Sequence, residues 1–229
     1  MPKQVRFPGL CVYCGAEVTR ATASKHLVVC PERKIPSPGK DRKRQARYEE
    51  NIYYIRAEAT YLPEFWLDLE VNGYATLQDL DDYLRAIWLE CCGHLSAFML
   101  GDFGTPELAK EGSIDSVFRH KAKIMHVYDF GTSSWTTLKR VGVRQGQPAT
   151  KWPISLMVRN KLPGIVCIEC GAPAQWLCME CVVEEDRMGF LCAKHRKTHP
   201  HEDYGAPVKV VNSPRLGLCG YTGPAKPAY

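Results

Sequence analysis

Apolar positions along the chain fall into two regimes. Between residues 50 and 146 they alternate or cluster as in strands. NIYYIRAEATYL is rich in aromatic and β-branched residues and predicts a strand. FWLDLEV sets Phe65, Leu67, Leu69 and Val71 on one face of a second strand, and Asn72-Gly73 closes it with a turn. Leu77, Leu80, Leu84, Ile87, Trp88 and Cys91 then recur at three- and four-residue steps, the stripe of an amphipathic helix. Thr76 with Asp79 resembles its capping box. Leu95–Leu100 predicts a further strand, and residues 101–116 a polar excursion. KAKIMHVYDFG and SWTTLKRVGV predict two more strands, joined by a turn through Gly131, Thr132 and Ser133.

The flanks lack that patterning and are dense in cysteine and histidine. Residues 167–201 hold Cys167/Cys170, Cys178/Cys181, Cys192/His195, His199 and His201, eight soft-metal ligands in 35 residues. Cys11, Cys14, His26 and Cys30 form a C-x2-C-x11-H-x3-C pattern near the start. There a hairpin would carry the first pair, and a helix would present His26 and Cys30 on one face. Paired x2 thiolates and imidazoles suit tetrahedral zinc, and so short a segment has too little core to fold without metal. Three zinc ions per chain are expected. All four positions of each site would be filled by protein, which marks structural rather than catalytic zinc.

The C-terminal succession of pairs resembles B-box-type and other cross-braced zinc modules, and the resemblance implies one site of Cys167, Cys170, Cys192 and His195 and another of Cys178, Cys181, His199 and His201. Rival pairings stay open. Cys219 could replace His199 or His201, or Cys167, Cys170, Cys178 and Cys181 could form one all-cysteine site. The same resemblance implies a partner-binding surface.

The expected class is α+β: a small mixed sheet with a packed amphipathic helix, flanked by two small zinc-binding modules. The expected divisions are a finger over 1–31, a basic linker over 32–48, the α+β domain over 50–146, a connector over 147–163, the two-zinc module over 164–205, and a strand and tail over 206–229. In the connector, Pro148, Pro153 and Pro163 bracket the apolar run ISLMV, which suits a linker strand or short helix docking between domains.

Charge adds one feature. The formal net charge is +5, and Lys40, Arg42, Lys43, Arg44 and Arg47 crowd into the linker with only Asp41 opposing. Such a run suits phosphate contacts. Eleven cysteines without an apolar leader at the start point to metal in a reducing compartment, with the cytoplasm as default. No apolar run approaches the roughly 18 residues of a membrane span.

Around WLECCGHLSAF and YDFG the chain resembles the plasmid pRiA4b ORF-3-like family, over roughly residues 50–145. The resemblance implies a compact α+β domain found in bacteria and archaea, on chromosomes and mobile elements, and little about chemistry. Thr132 follows YDFG where that family has an acidic residue. Members with Cys-rich C-terminal additions, ending in a stretch like NSPRLGLCGYTG, resemble this chain further.

Catalysis finds little footing. Cys91, Cys92 and His94 invite a nucleophile–base reading, but adjacent helical residues point about 100° apart, and Cys91 belongs to the apolar stripe. Asp129 and Asp102 could pair only in space, and Asp129 suits a turn at a strand end. Asp-Phe-Gly without a glycine-rich loop or catalytic loop is not a kinase signature. The leading expectation is a non-catalytic zinc protein that binds nucleic acid through the finger and basic linker. The rivals are a protein-interaction adaptor built on the cross-brace and an enzyme on the α+β domain.

Overall fold

The computed structural model describes residues 7–36, 50–89, 93–102 and 104–218. The basic run Lys40–Arg47, Cys91, Cys92 and Cys219 lie outside the described residues. The chain divides into two compact units. The first comprises residues 1–84 and 94–161, and the second Arg85–Gly93 and residues 162–225.

The first unit is built on one nine-stranded sheet. Its strands are β1 (Pro8–Cys11), β2 (Glu17–Thr19), β3 (Glu50–Ala59), β4 (Trp66–Asn72), β5 (Ser96–Met99), β6 (Glu107–Leu108), β7 (Lys123–Tyr128), β8 (Ser134–Gly146) and β9 (Ile154–Asn160). They lie in the order β2-β1-β9-β4-β3-β8-β7-β5-β6, and every pairing is antiparallel. The α+β class is as expected. The sheet is larger than expected and antiparallel rather than mixed, because strands from both flanks join it.

The expected connector supplies one of those strands. Residues 154–160 form β9, which pairs with β4 on one side and β1 on the other. Pro153 and Pro163 sit outside the strand and so remove none of its ladder bonds. Through β9 the finger hairpin extends the main sheet. The polar excursion also holds structure: β6, and a short helix α3 (Ile114–Phe118) capped by Ser113.

Burial of β4 departs most from the pattern. All seven of its residues are buried, although the alternation predicts one polar, solvated face. Leu67, Leu69 and Val71 share the apolar face with Ile55 and Ala57, and Phe118 of α3 meets Tyr53 there. The other face carries Trp66, Asp68 and Glu70, and the finger covers it. Trp66 packs with Cys11, Val18, Ala23, Leu27, Cys30, Met157 and Val158. Asp68 takes a bidentate pair from Arg56, at 2.6 and 2.9 Å, and accepts from Tyr54 Oη. Glu70 accepts from Arg33 at 3.0 Å and Arg144 at 2.9 Å. A buried carboxylate is tolerated only with such pairing.

Helix α1 (Ala23–Val29) belongs to the finger, and α2 (Leu77–Leu84) follows the β4 turn. Thr76 and Asp79 cap α2 reciprocally: each backbone N–H donates to the other's side chain, at 2.7 and 3.0 Å. The helix runs on as a π-turn over Arg85–Leu89, and Leu77, Leu80, Leu84, Ile87 and Trp88 are all buried.

The second unit carries a three-stranded sheet, β11-β10-β12. It comprises β10 (Trp176–Cys178), helix α4 (Met179–Val183), β11 (Gly189–Leu191) and β12 (Val208–Lys209). The strand expected within residues 206–229 thus forms at Val208–Lys209 and joins this sheet, along β10. Within the same unit Ser213 Oγ donates to the Trp88 carbonyl.

Candidate metal centres

Three groups of four side chains converge. They are Cys11, Cys14, His26 and Cys30; Cys167, Cys170, Cys192 and His195; and Cys178, Cys181, His199 and His201. Within each group the ligand atoms lie within 4.8 Å of one another. The C-terminal pairs interleave, one and three together and two and four together, as in the cross-brace. Cys167, Cys170, Cys178 and Cys181 do not form a single site.

The spacing of the ligand atoms tests the fit to a tetrahedral ion. Bonds of about 2.3 Å to sulfur and 2.0–2.1 Å to nitrogen set edges of ~3.8 Å between sulfurs, ~3.6 Å from sulfur to nitrogen and ~3.3 Å between nitrogens. Cys11 and Cys30 Sγ stand 3.9 Å apart, and Cys170 and Cys192 Sγ 4.0 Å. Sulfur–nitrogen edges are 3.4 Å for Cys14–His26 and Cys167–His195, 3.6 Å for Cys192–His195, and 3.3 Å for Cys181–His199. His199 Nε2 and His201 Nδ1 are 3.2 Å apart. All three clusters are compatible with zinc binding.

Local sequence explains how each set is held. In the finger, β1 ends on Cys11, and Gly15, at φ 72°, closes the turn beyond Cys14. Helix α1 places His26 one turn before Cys30, while Arg33 Nη1 donates to the Leu27 carbonyl and holds the helix end. In the second unit Gly171, at φ 71°, turns the chain after Cys170. Gly189 has a different reason. A Cβ there would stand 2.5 Å from Cys181 Cβ and 2.7 Å from its Sγ, so only glycine lets β11 cross the Cys178–Cys181 knuckle. Trp176 borders the small core and stacks under Arg196, whose guanidinium lies 3.6 Å from the ring centroid.

Burial and hydrogen bonding pull the bare thiols in opposite directions. Burial pushes Cys11 up to about 11 and Cys181 up to about 12. Burial also raises Cys167, but the backbone N–H groups of Cys192, Glu169 and Cys170, with the His195 ring, bring it down to about 6. A bound dication favours the thiolate at every one of these positions.

Among the described residues, the other candidates have these surroundings. Asp129, at φ 63°, accepts from the N–H groups of Gly131 at 3.0 Å and Thr132 at 3.2 Å, so its carboxylate makes the turn after β7. Asp102 opens the turn after β5, where its carbonyl accepts from Thr105. His94 N–H donates to Tyr128 Oη at 3.1 Å.

Spacing rules give no sign of one further cluster. Ser96 Oγ and His126 Nε2 both donate to Asp81 Oδ1, at 2.8 and 2.7 Å. Lys110 Nζ bonds Asp81 Oδ2 at 2.9 Å and Ser96 Oγ at 2.7 Å. These residues come from α2, β5, β7 and a loop, so no local signal announces them. The carboxylate sits between serine and histidine, whereas a nucleophile needs its base beside it.

No family model matches the chain, and no curated protein matches it. Among solved structures it is similar to a protein of unknown function from Methanosarcina mazei Go1. The match has a TM-score of 0.39 and 16% identity, and covers 46% of this chain and 68% of that one.

Proposed function

We propose that this is a non-catalytic zinc protein in which three structural ions hold binding surfaces in place. The observation that carries this is the closed donor set: each cluster offers four side-chain ligands, all from the protein, and a hydrolytic zinc needs a position open to water. Metal analysis of the purified chain should return three zinc ions. Two or fewer would show that one cluster has been misread.

The favoured target is nucleic acid, reached through the phosphate-contacting run Lys40, Arg42, Lys43, Arg44 and Arg47. Helix α1 exposes Lys25, Val28 and Val29, the two valines at 82% and 75%, so it offers a groove one charge and two apolar side chains. Zinc loading also trims the charge. Three dications add six charges and eight thiolates remove eight, so the formal +5 falls to +3. Binding should therefore be local to the basic run and steeply salt-dependent. Changing Arg42, Lys43 and Arg44 together to Ala should weaken a gel shift by tenfold or more at low salt. An unchanged shift would remove the linker from the interface.

A second reading, a protein-interaction adaptor, draws on a different observation. Val166, Ile168, Val183 and Met188 of the two-metal unit are exposed apolar side chains. Absence of nucleic-acid binding at low salt would favour it. The resemblance of residues 50–145 to the plasmid pRiA4b ORF-3-like family is compatible with either.

A further inference from the structure

We propose that Glu169 is a positioning residue that couples the two C-terminal metal sites, so that an ion in one strengthens binding in the other. This rests on reading both clusters as zinc sites.

Glu169 lies inside the knuckle Cys167–Cys170, and both of those cysteines belong to the first cluster. Its Oε1 reaches out of that cluster to His199 Nδ1, at 3.1 Å. His199 belongs to the second cluster and turns its other nitrogen inward: Nε2 lies 3.3 Å from Cys181 Sγ. An imidazole that binds an ion through Nε2 keeps its proton on Nδ1, and that proton then points at Glu169. A carboxylate in this place fixes the ring's orientation and raises its basicity, and its loss typically costs about 10–100-fold in metal affinity. The His199 side chain is only 2% exposed, so water has little access to the ring end of the bond, while Glu169 keeps 43% of its surface in solvent and avoids the full cost of burial.

The other imidazole of the second cluster lacks an equivalent contact. His201 Nε2 lies 3.7 Å from Glu185 and 4.0 Å from Glu180, beyond hydrogen-bond reach. The outer bond at Glu169 thus ties a second-site ligand to the first site through side chains. The backbone supplies a parallel tie. His199 N–H donates at 2.9 Å to the carbonyl of His195, itself a first-site ligand.

Coupling follows from the order of events. An ion in the first site fixes the knuckle and holds Glu169 where His199 will need it. The ordering cost is then met before the second ion arrives, and the effect is reciprocal.

The test uses the full chain and measures zinc affinity against a chromophoric chelator. Cobalt substitution identifies the sites, because the second offers two thiolates and the other two offer three each. Glu169→Ala should weaken the two-thiolate site by about 10–100-fold and leave the N-terminal site unchanged. Glu169→Gln keeps an acceptor but not the charge, and should recover part of the loss. His195→Ala, which removes a first-site ligand but none of its thiolates, should weaken the two-thiolate site as well, with little further loss when Glu169→Ala is added. Unchanged two-thiolate affinity in Glu169→Ala, a Gln variant as weak as the Ala variant, or fully additive losses would each overturn the coupling. A parent chain that takes up no ion in either C-terminal cluster would overturn the zinc reading itself.

Discussion

The two ends of the chain solve one problem in opposite ways. Both must fold a few dozen residues around thiolates and imidazoles. The N-terminal finger leans on a sheet that exists for other reasons: β1 pairs with β9, and α1 lays Ala23 and Leu27 against Trp66 and Met157. The C-terminal unit makes its own core from Cys167, Ala174, Cys178, Cys181 and Leu191, bordered by Trp176 and Phe190. Cysteine supplies three of those five buried residues, so there the ligands are the core. An ion lost at the finger should therefore be felt across the sheet, and an ion lost at the cross-brace should be felt close by.

The largest expected effect tests that contrast directly. Cys30→Ala should loosen the finger from β4 and expose Trp66 and Leu27. The expected cost to the first unit is about 3 kcal/mol or more, read as faster amide exchange in β4 and β9. Cys178→Ala should abolish protection in β10 and β11 while leaving β3 and β4 protected. Equal loss in both units from either variant would break the comparison.

Two glycines sharpen it at a smaller scale. A Cβ on Gly9 would stand 2.7 Å from Trp66 Cζ2 and 2.8 Å from the Arg159 carbonyl. Gly9→Ala should cost about 1–3 kcal/mol of overpacking in denaturant unfolding, with three ions retained. Gly189→Ala pushes on Cys181 instead, and should drop the metal count by one. If Gly9→Ala loses an ion and Gly189→Ala does not, the roles assigned to sheet and ligand are reversed.

How much of this was legible in the sequence follows the range of each interaction. The finger's ligands and the C-terminal pairs were readable because a metal knuckle needs its donors close in sequence, but which C-terminal pairs share an ion stayed open until the fold interleaved them. The capping of α2 by Thr76 and Asp79 was readable for the same reason. The covered face of β4 was not. Trp66, Asp68 and Glu70 find their partners at residues 11–33, 54–56 and 144, and alternation says nothing about what lies across a sheet. Strand β9 was legible only as a linker strand or short helix between prolines, and its place between β4 and β1 was not. The Asp81–His126 network was invisible because its members are 45 residues apart.

The smallest effect probes the sheet away from any metal. Asp115 accepts from Asn51 Nδ2 at 2.6 Å and Tyr53 Oη at 2.8 Å, and pairs with Arg119. Hydrogen bonds from Asn51 and Tyr53, with the Arg119 charge, hold its carboxyl below the ordinary value. A depressed folded value contributes stability that is present above the unfolded value and is lost as pH falls through the folded one. Asp115→Asn should cost about 1–2 kcal/mol at neutral pH. The gap to the parent should close on acidification, and a gap independent of pH would remove the charge from the account.

The pairing of β1 with β9 also sets a timetable for synthesis. The finger's ligands are complete once Cys30 has emerged, yet the strand that receives the finger ends at Asn160, 130 residues later. At typical elongation rates that interval is on the order of ten seconds. For that time Ala23 and Leu27 have no sheet to cover them, and an ion taken up early would hold the nascent finger in shape until its seat is made.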